Sequence, residues 1–296
     1  MRKPRMSLTP IFFLLPALAL MLPFVIYPIF KTIYFSFLSP DGNFVGLKNY
    51  FQVLGSSDIV NLDRFPSSSP PWGALIHNFV WILIHLPITV FLGLLLALLL
   101  RREEVKGSSI IKSIVFLGMV IPMIVGGIII RFLFEKGVGV IPTIFNLFGF
   151  ESLYKTWTAY PDTALFAVIL GSIWLWTGFS MLMYSAGLAA IPKDYYEAAI
   201  IDGASPIQIF FYVTFPLLKP VTMVVVSMTL LWELKIFDIV YVATGGGPGG
   251  ASTVLAIQMW NYFARQLNYN YSAVVAVLLT LLTMIPALWL FRRGRE

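Results

Sequence analysis

Six stretches of this chain are long enough and apolar enough to cross a bilayer as helices. They run at about Ile11 to Phe37, Ile76 to Leu100, Ile110 to Phe134, Thr163 to Ala190, Pro220 to Ala243 and Ser272 to Phe291. A spanning helix takes about 20 predominantly apolar residues. It also satisfies its own backbone hydrogen bonds, which lipid cannot do. The expectation is an all-α membrane protein of six transmembrane helices, a single transmembrane domain over residues 1–296. Composition agrees: 58% of the 296 residues are hydrophobic and 11% charged, against about 25% charged in soluble domains. The mean hydropathy of +0.85 means more apolar side chain than a soluble core of this size buries. The first run follows MRKPR as a secretion signal would. It is longer than a signal h-region and lacks an A-x-A cleavage site, so it is read as a retained span.

The basic residues give the chain a direction. Loops on the side of the N-terminus carry twelve Lys and Arg: Arg2, Lys3, Arg5, Arg101, Arg102, Lys106, Lys112, Lys193, Lys219, Arg292, Arg293 and Arg295. The opposite loops carry five, Lys48, Arg64, Lys136, Lys155 and Arg265. Short cytoplasmic loops are the Lys/Arg-rich ones, so both termini are expected inside, in a multi-pass protein of the cell (cytoplasmic) membrane. The net charge of +6 is thus a matter of topology; no basic segment with interleaved aromatics points to nucleic acid.

Several chemistries are unsupported. There is no cysteine, hence no disulfide framework or thiolate nucleophile. TGGGPGGAST, from Thr244, lacks the Lys-Ser or Lys-Thr of a phosphate-binding loop, and is read as a flexible extracytoplasmic loop. His77 and His85 lie eight residues apart on the second span without a nearby Asp or Glu to complete a metal set, and are read as satisfied or pore-facing. Neither HExxH nor GxSxG occurs. The chain is expected to have no catalytic residues, no metal and no ATPase site of its own.

One cytoplasmic segment, residues 191–219 between the fourth and fifth spans, reads as ordered. Asp194 can cap a helix from Tyr195, Asp202-Gly203 breaks it, and Ser205-Pro206-Ile207-Gln208 starts a second with a capping Ser, a first-turn Pro and a capping-box Gln. The apolar run that follows is read as ending at Pro216. Helix physics alone leaves two readings open: a docking element for a cytosolic partner, or an amphipathic hairpin on the headgroups.

Within this segment Glu197-Ala198-Ala199, three residues, Gly203, nine residues, Val213, one residue and Phe215-Pro216 resemble the EAA loop of binding-protein-dependent ABC importer permeases. Val213 and Phe215 depart from the Ile and Leu of that pattern but keep its apolar character. Phe237-Asp238 followed by Thr244-Gly-Gly-Gly-Pro248 is similar to the carbohydrate branch, the maltose, trehalose and glycerol-phosphate permease type. The resemblance implies a coupling helix seated on a cytosolic ATPase, with Glu197 the polar anchor and Asp202 and Gly203 at the turn. It implies as partners a second homologous permease subunit, a dimer of cytosolic ABC ATPases that bind the ATP and Mg, and an extracytoplasmic binding protein. The expected function is import of a di- or oligosaccharide, an α-glucoside such as maltose or trehalose. Asp58, Asp63 and SSSPP in the segment from Ser39 to Leu75, and the segment from Glu135 to Asp162, are expected at the surface that meets the binding protein.

Charges inside a span are expensive and default to a functional reading. The fifth span holds Glu233, Lys235 and Asp238; Lys235 and Asp238 have the i, i+3 spacing of an ion pair. Glu233 has no partner on its own helix, and with Trp232 and Thr229 it suits a saccharide, which needs an aromatic platform and groups that fix hydroxyls. The resemblance places the sugar-contacting positions on Leu175, Trp176, Phe179, Thr229, Trp232, Glu233 and Ile236. Two rivals remain: a glycerol-phosphate importer, and a polytopic membrane transferase using Asp202, Glu233 and Asp238 as acid and base.

Overall fold

The computed structural model describes residues 9–101 and 107–293. The basic residues Arg2, Lys3, Arg5, Arg102, Lys106 and Arg295, used above for direction, lie outside them. Among the described residues the secondary structure is helical, apart from one isolated antiparallel bridge between Leu38 and Phe44. The chain divides into two compact units: the stretch up to Leu54 with Met259–Leu278, and Gly55–Gln258 with the stretch from Leu279 onward.

In the first unit α1 (Thr9–Met21) continues through a π turn at Leu22–Ile26 into α2 (Tyr27–Ser36). The π turn coincides with Pro23 and precedes Pro28, where ordinary helical hydrogen bonds lose their donors. Phe13, Phe24 and Phe30 stand exposed around this helix, as expected of a helix apolar on all sides and made for lipid. Its C-terminal carbonyls are capped from a distance. Asn49, on α3 (Lys48–Leu54), donates from Nδ2 to the Ser36 and Leu38 carbonyls at 2.9 and 2.7 Å. Asn270 donates to the Phe35 carbonyl at 3.0 Å. These bonds satisfy groups that a helix end leaves orphaned.

The second unit is built on two long helices, α4 (Ala74–Leu99) and α8 (Pro161–Ala189). The most buried helix is α8, and small residues bring its neighbours close. A Cβ on Gly93 would stand 2.2 Å from Ser180 Oγ, and one on Gly178 would stand 2.7 Å from the Val115 carbonyl. Between them in sequence come α5 (Ser108–Val120), α6 (Met123–Leu133) and the short α7 (Val140–Leu147).

Three expectations about the spans need correction. The third span is not one straight helix: α5 and α6 meet at 106°. Pro122 disfavours helical geometry at the residue before it; Ile121 is extended there (φ −67°, ψ 130°). Among the described residues the structure therefore holds five long apolar helices, or six if this bent pair is one span. The fifth span begins and ends early. After α9 (Lys193–Ile201) and α10 (Pro206–Ile209), a π turn at Phe210–Thr214 leads into α11 (Phe215–Leu234). The Phe215 N–H bonds back to the Phe210 carbonyl, which loosens the turn ahead of Pro216, so helix continues through that proline. At the other end α11 stops at Leu234, and α12 (Asp238–Ala243) starts after an interruption at residues 235–237. Lys235 lies in that interruption and Asp238 opens α12, and they form no ion pair; among the described residues the carboxyl groups that meet a basic side chain are Glu233, hydrogen-bonded to His85, and Asp162, paired with Lys155.

The segments between the long helices of this unit are built from specific contacts. Trp157 is buried against Phe134 and Phe145, with ring centroids 5.2 and 5.4 Å apart. Asp58 and Asp63 are exposed, as expected. The glycine-rich segment from Thr244, read as slack, is a set of tight turns before α13 (Leu255–Trp260). Ser252 Oγ donates to the Gly247 carbonyl at 2.7 Å and Thr253 Oγ1 to the Gly246 carbonyl at 2.9 Å. Composition hid these hydroxyl clamps. The last helix is α14 (Tyr269–Arg293).

Candidate functional site

An aromatic floor forms where α8 and α11 run side by side. Trp176 and Trp232 lie with ring centroids 4.4 Å apart and planes at 34°, and Phe179 meets Trp232 edge-on at 4.8 Å and 68°. Trp176 and Trp232 line a cavity of about 160 Å³ together with Met123, Lys235, Ile236, Phe237, Asp238 and Ile239. Of the seven residues expected in the pathway, Trp176, Phe179, Trp232 and Ile236 are brought together here.

Glu233 is not on this floor. It follows Trp232, so it points about 100° further around the helix, and its side chain is only 1% exposed. Its Oε1 lies 2.6 Å from His85 Nδ1 on α4, and Thr89 Oγ1 lies 3.4 Å from the same nitrogen. Thr229, one turn earlier on the same face, is buried as well. Leu175 is buried and faces α6, where a Cβ on Gly126 would meet its Cδ1 at 3.0 Å. Adjacent helix positions diverge in direction, so the run Leu175-Trp176 and the run Trp232-Glu233 each split between the cavity and the protein interior.

His77 is satisfied at both ring nitrogens, whereas among the described residues His85 has partners at Nδ1 and none at Nε2. His77 Nε2 accepts from the Trp72 N–H at 2.9 Å, and its Nδ1 faces the Thr253 carbonyl at 2.7 Å. One nitrogen accepts and the other donates, which describes a neutral ring with its proton on Nδ1. The Glu233 partner of His85 was missed because it is 148 residues away. The available signal was that ionisable residues inside spans tend to pair with one another. Among the described residues no group of three His, Asp or Glu is placed to hold a metal.

The second feature is the hairpin of α9 and α10. The first helix begins at Lys193, two residues before the expected start, because Pro192 at φ −58°, ψ 141° is its cap; Asp194 sits in its first turn instead of capping it. Gly203 turns the chain at φ +79°, a left-handed conformation that costs an L side chain about 1–2 kcal/mol. Ser205 then starts α10 with a complete capping box: its Oγ accepts from the Gln208 N–H at 3.4 Å, and Gln208 Oε1 accepts from the Ser205 N–H at 2.8 Å. Around the turn Ile200, Ile201, Ile207 and Tyr212 are exposed, Ile201 by 85%. Glu197 and Ala198 are exposed, Ala199 is half-buried, and Asp202 is exposed at the turn. Glu197 lines an open cleft of about 670 Å³ with Arg101, Tyr196, Ile200, Pro206 and Phe210 among its walls. Arg101 fixes the root of the hairpin, donating to the Tyr196 hydroxyl at 2.9 Å.

A family model described as the binding-protein-dependent transport system inner membrane component matches residues 89–293. The chain is 76% identical over 289 residues to a probable ABC transporter permease protein of Pyrococcus horikoshii, covering 98% of this chain and 99% of that one. It is 32% identical over 287 residues to the trehalose/maltose transport system permease protein MalF of Thermococcus litoralis, covering 95% and 92%. In fold it matches a chain of a bacterial alginate ABC transporter in complex with an alginate pentasaccharide-bound periplasmic protein. That match has a TM-score of 0.77 at 18% identity, over 96% of this chain and 92% of that one.

Proposed function

This chain belongs to the family of binding-protein-dependent transport system inner membrane components and is an ABC transporter permease of the cell membrane; from that premise we propose that it is one of two related permease subunits of a saccharide importer. Its cargo is a di- or oligosaccharide, an α-glucoside such as maltose or trehalose, delivered by an extracytoplasmic binding protein. The trehalose/maltose permease relative supports this cargo class, as does the pair of closely packed tryptophans in the cavity wall.

The observation that carries the importer reading is the hairpin. Aliphatic and aromatic side chains exposed around a Gly203 turn, beside a free-standing Glu197, are costly in water and suit the cleft of a partner. On this reading both termini and the hairpin are cytoplasmic, and the hairpin seats on one member of an ATPase dimer. ATP-driven closure of that dimer moves the hairpin and shifts the permease between inward- and outward-facing states, a two-state equilibrium also biased by the loaded binding protein.

The test is purification of the tagged chain from native membranes in mild detergent. A second EAA-bearing chain and a Walker-A ATPase are expected to accompany it, with ATP hydrolysis stimulated by a sugar-loaded binding protein. Recovery of the folded chain alone overturns the reading. Glu197→Lys and Gly203→Val are expected to insert normally yet abolish ATP-driven uptake; full uptake in both removes the hairpin from the mechanism.

A further inference from the structure

Two helix interruptions face one cavity. The first is the 106° break between α5 and α6; the second is the gap at residues 235–237 between α11 and α12. The broken elements are held together directly, because Gly127 of α6 lets α12 approach: a Cβ there would stand 2.9 Å from Val242 Cβ and 3.0 Å from the Ile239 carbonyl. Met123 comes to the cavity from the first break, and Lys235 through Asp238 come from the second. Inside a bilayer, non-helical backbone is tolerated only where protein buries it or a water-filled cavity receives it. Lys235 and Asp238 obey the same constraint, since ionised side chains within spans face a cavity or a partner.

These two charges do not neutralise each other. Both side chains are exposed, and among the described residues neither makes an ion pair. One wall of the cavity therefore offers an ammonium with three donors and a carboxylate that only accepts. Another wall is formed by the closely packed, tilted indoles of Trp176 and Trp232. A ligand that satisfies all three has an apolar face for the indoles and hydroxyls at its edge, which can accept from Lys235 and donate to Asp238. An anionic ligand that pairs with Lys235 brings its charge against Asp238 on the same wall, whereas a neutral ring uses both groups and meets no like charge. The cavity, about 160 Å³, is below the roughly 300–1,000 Å³ of pockets that enclose a whole ligand, so it takes one ring of a longer cargo.

We propose that Lys235 and Asp238 are specificity-determining polar contacts of a one-ring subsite for neutral saccharides, built where the two broken helices meet. This rests on the saccharide reading of the permease.

The test is equilibrium binding of radiolabelled maltose, trehalose and glycerol 3-phosphate to the assembled transporter in lipid nanodiscs, without added binding protein. The parent is compared with Lys235→Gln, Asp238→Asn and the charge-keeping Lys235→Arg. These changes are at exposed side chains and close in shape, so assembly is expected in each. The expected result is that maltose or trehalose binds, that Lys235→Gln and Asp238→Asn each weaken it about tenfold or more, equivalent to about 1.4 kcal/mol, and that Lys235→Arg stays close to the parent. Saccharide binding that is unchanged in both neutral variants overturns the subsite and leaves the saccharide reading standing. Preference of the parent for glycerol 3-phosphate, or no binding of either disaccharide, overturns the saccharide reading and the subsite with it.

Discussion

His85→Ala should damage this protein far more than its position on an apolar helix implies. The imidazole is fully buried, and its Nδ1 sits 2.6 Å from a Glu233 carboxylate that is itself 1% exposed. Among the described residues Glu233 Oε2 has no hydrogen-bond partner, so the carboxyl group depends on the imidazole for its side-chain hydrogen bond. Removing one partner of a buried hydrogen bond leaves the other unsatisfied, at a desolvation cost of about 1–3 kcal/mol. Loss of the ring also leaves a cavity, but the two contributions are separable. Replacing both members by apolar residues, His85→Leu with Glu233→Met, removes the stranded group; exchanging both partners of a buried hydrogen bond for apolar groups of similar shape is nearly neutral or stabilising. A double-mutant cycle on SDS-unfolding free energies of the reconstituted chain reads the coupling directly. Each single substitution should be markedly destabilising and the double close to the parent. A coupling below about 0.5 kcal/mol, the scatter of independent sites, would refute a His85–Glu233 bond and return Glu233 to the cavity.

Two further perturbations test the packing and the hairpin. Gly93→Ala puts a methyl 2.2 Å from Ser180 Oγ and 2.8 Å from the Met181 nitrogen; overpacking of this kind costs about 1–3 kcal/mol. A lowered thermal midpoint of the assembled transporter is the expected readout, and an unchanged midpoint would mean α4 and α8 are not held at this spacing. Ser205→Ala removes one half of the capping box, which costs about 1 kcal/mol. Faster hydrogen exchange at residues 206–214 with unaltered exchange in α8 is expected; no local change would mean the cap does not order the hairpin.

The long apolar helices were legible because hydropathy summed over about 20 residues is insensitive to any single position. The interruptions were not. Pro122 announces a bend but not its 106° size, and at residues 235–237 a Lys and an Asp three apart imitate a helical ion pair. The π turns at Leu22–Ile26 and Phe210–Thr214 are changes of hydrogen-bond register that leave no compositional trace. Pro216 therefore looked like a stop when it is part of a continuing helix. The hairpin was legible to the residue at Gly203 and Ser205 because turn and cap chemistry is local. Trp176, Phe179 and Trp232 share one face while Leu175, Thr229 and Glu233 turn away from it, since which face of a helix meets a cavity depends on neighbours far off in sequence.

Those neighbours are concentrated on one helix. Along α4, His77 holds the Thr253 carbonyl and the Trp72 N–H. Asn78 donates to the Glu233 carbonyl at 3.2 Å and accepts from the Leu255 N–H at 2.8 Å, and His85 holds the Glu233 carboxylate. All three side chains are buried, so these bonds form in a setting where unmade ones are costly. Their partners are the end of α11, just before the interruption, and the backbone that leads into α13, after the glycine turns. The helix α11 cannot set where its own interrupted end lies, because past Leu234 it no longer has a helical ladder to impose direction. The polar residues of α4 supply that constraint. Lys235, Ile236 and Asp238 thus reach the cavity from a backbone anchored at Glu233 to a different span, so the polar side chains of α4 contribute to the position of residues they do not touch.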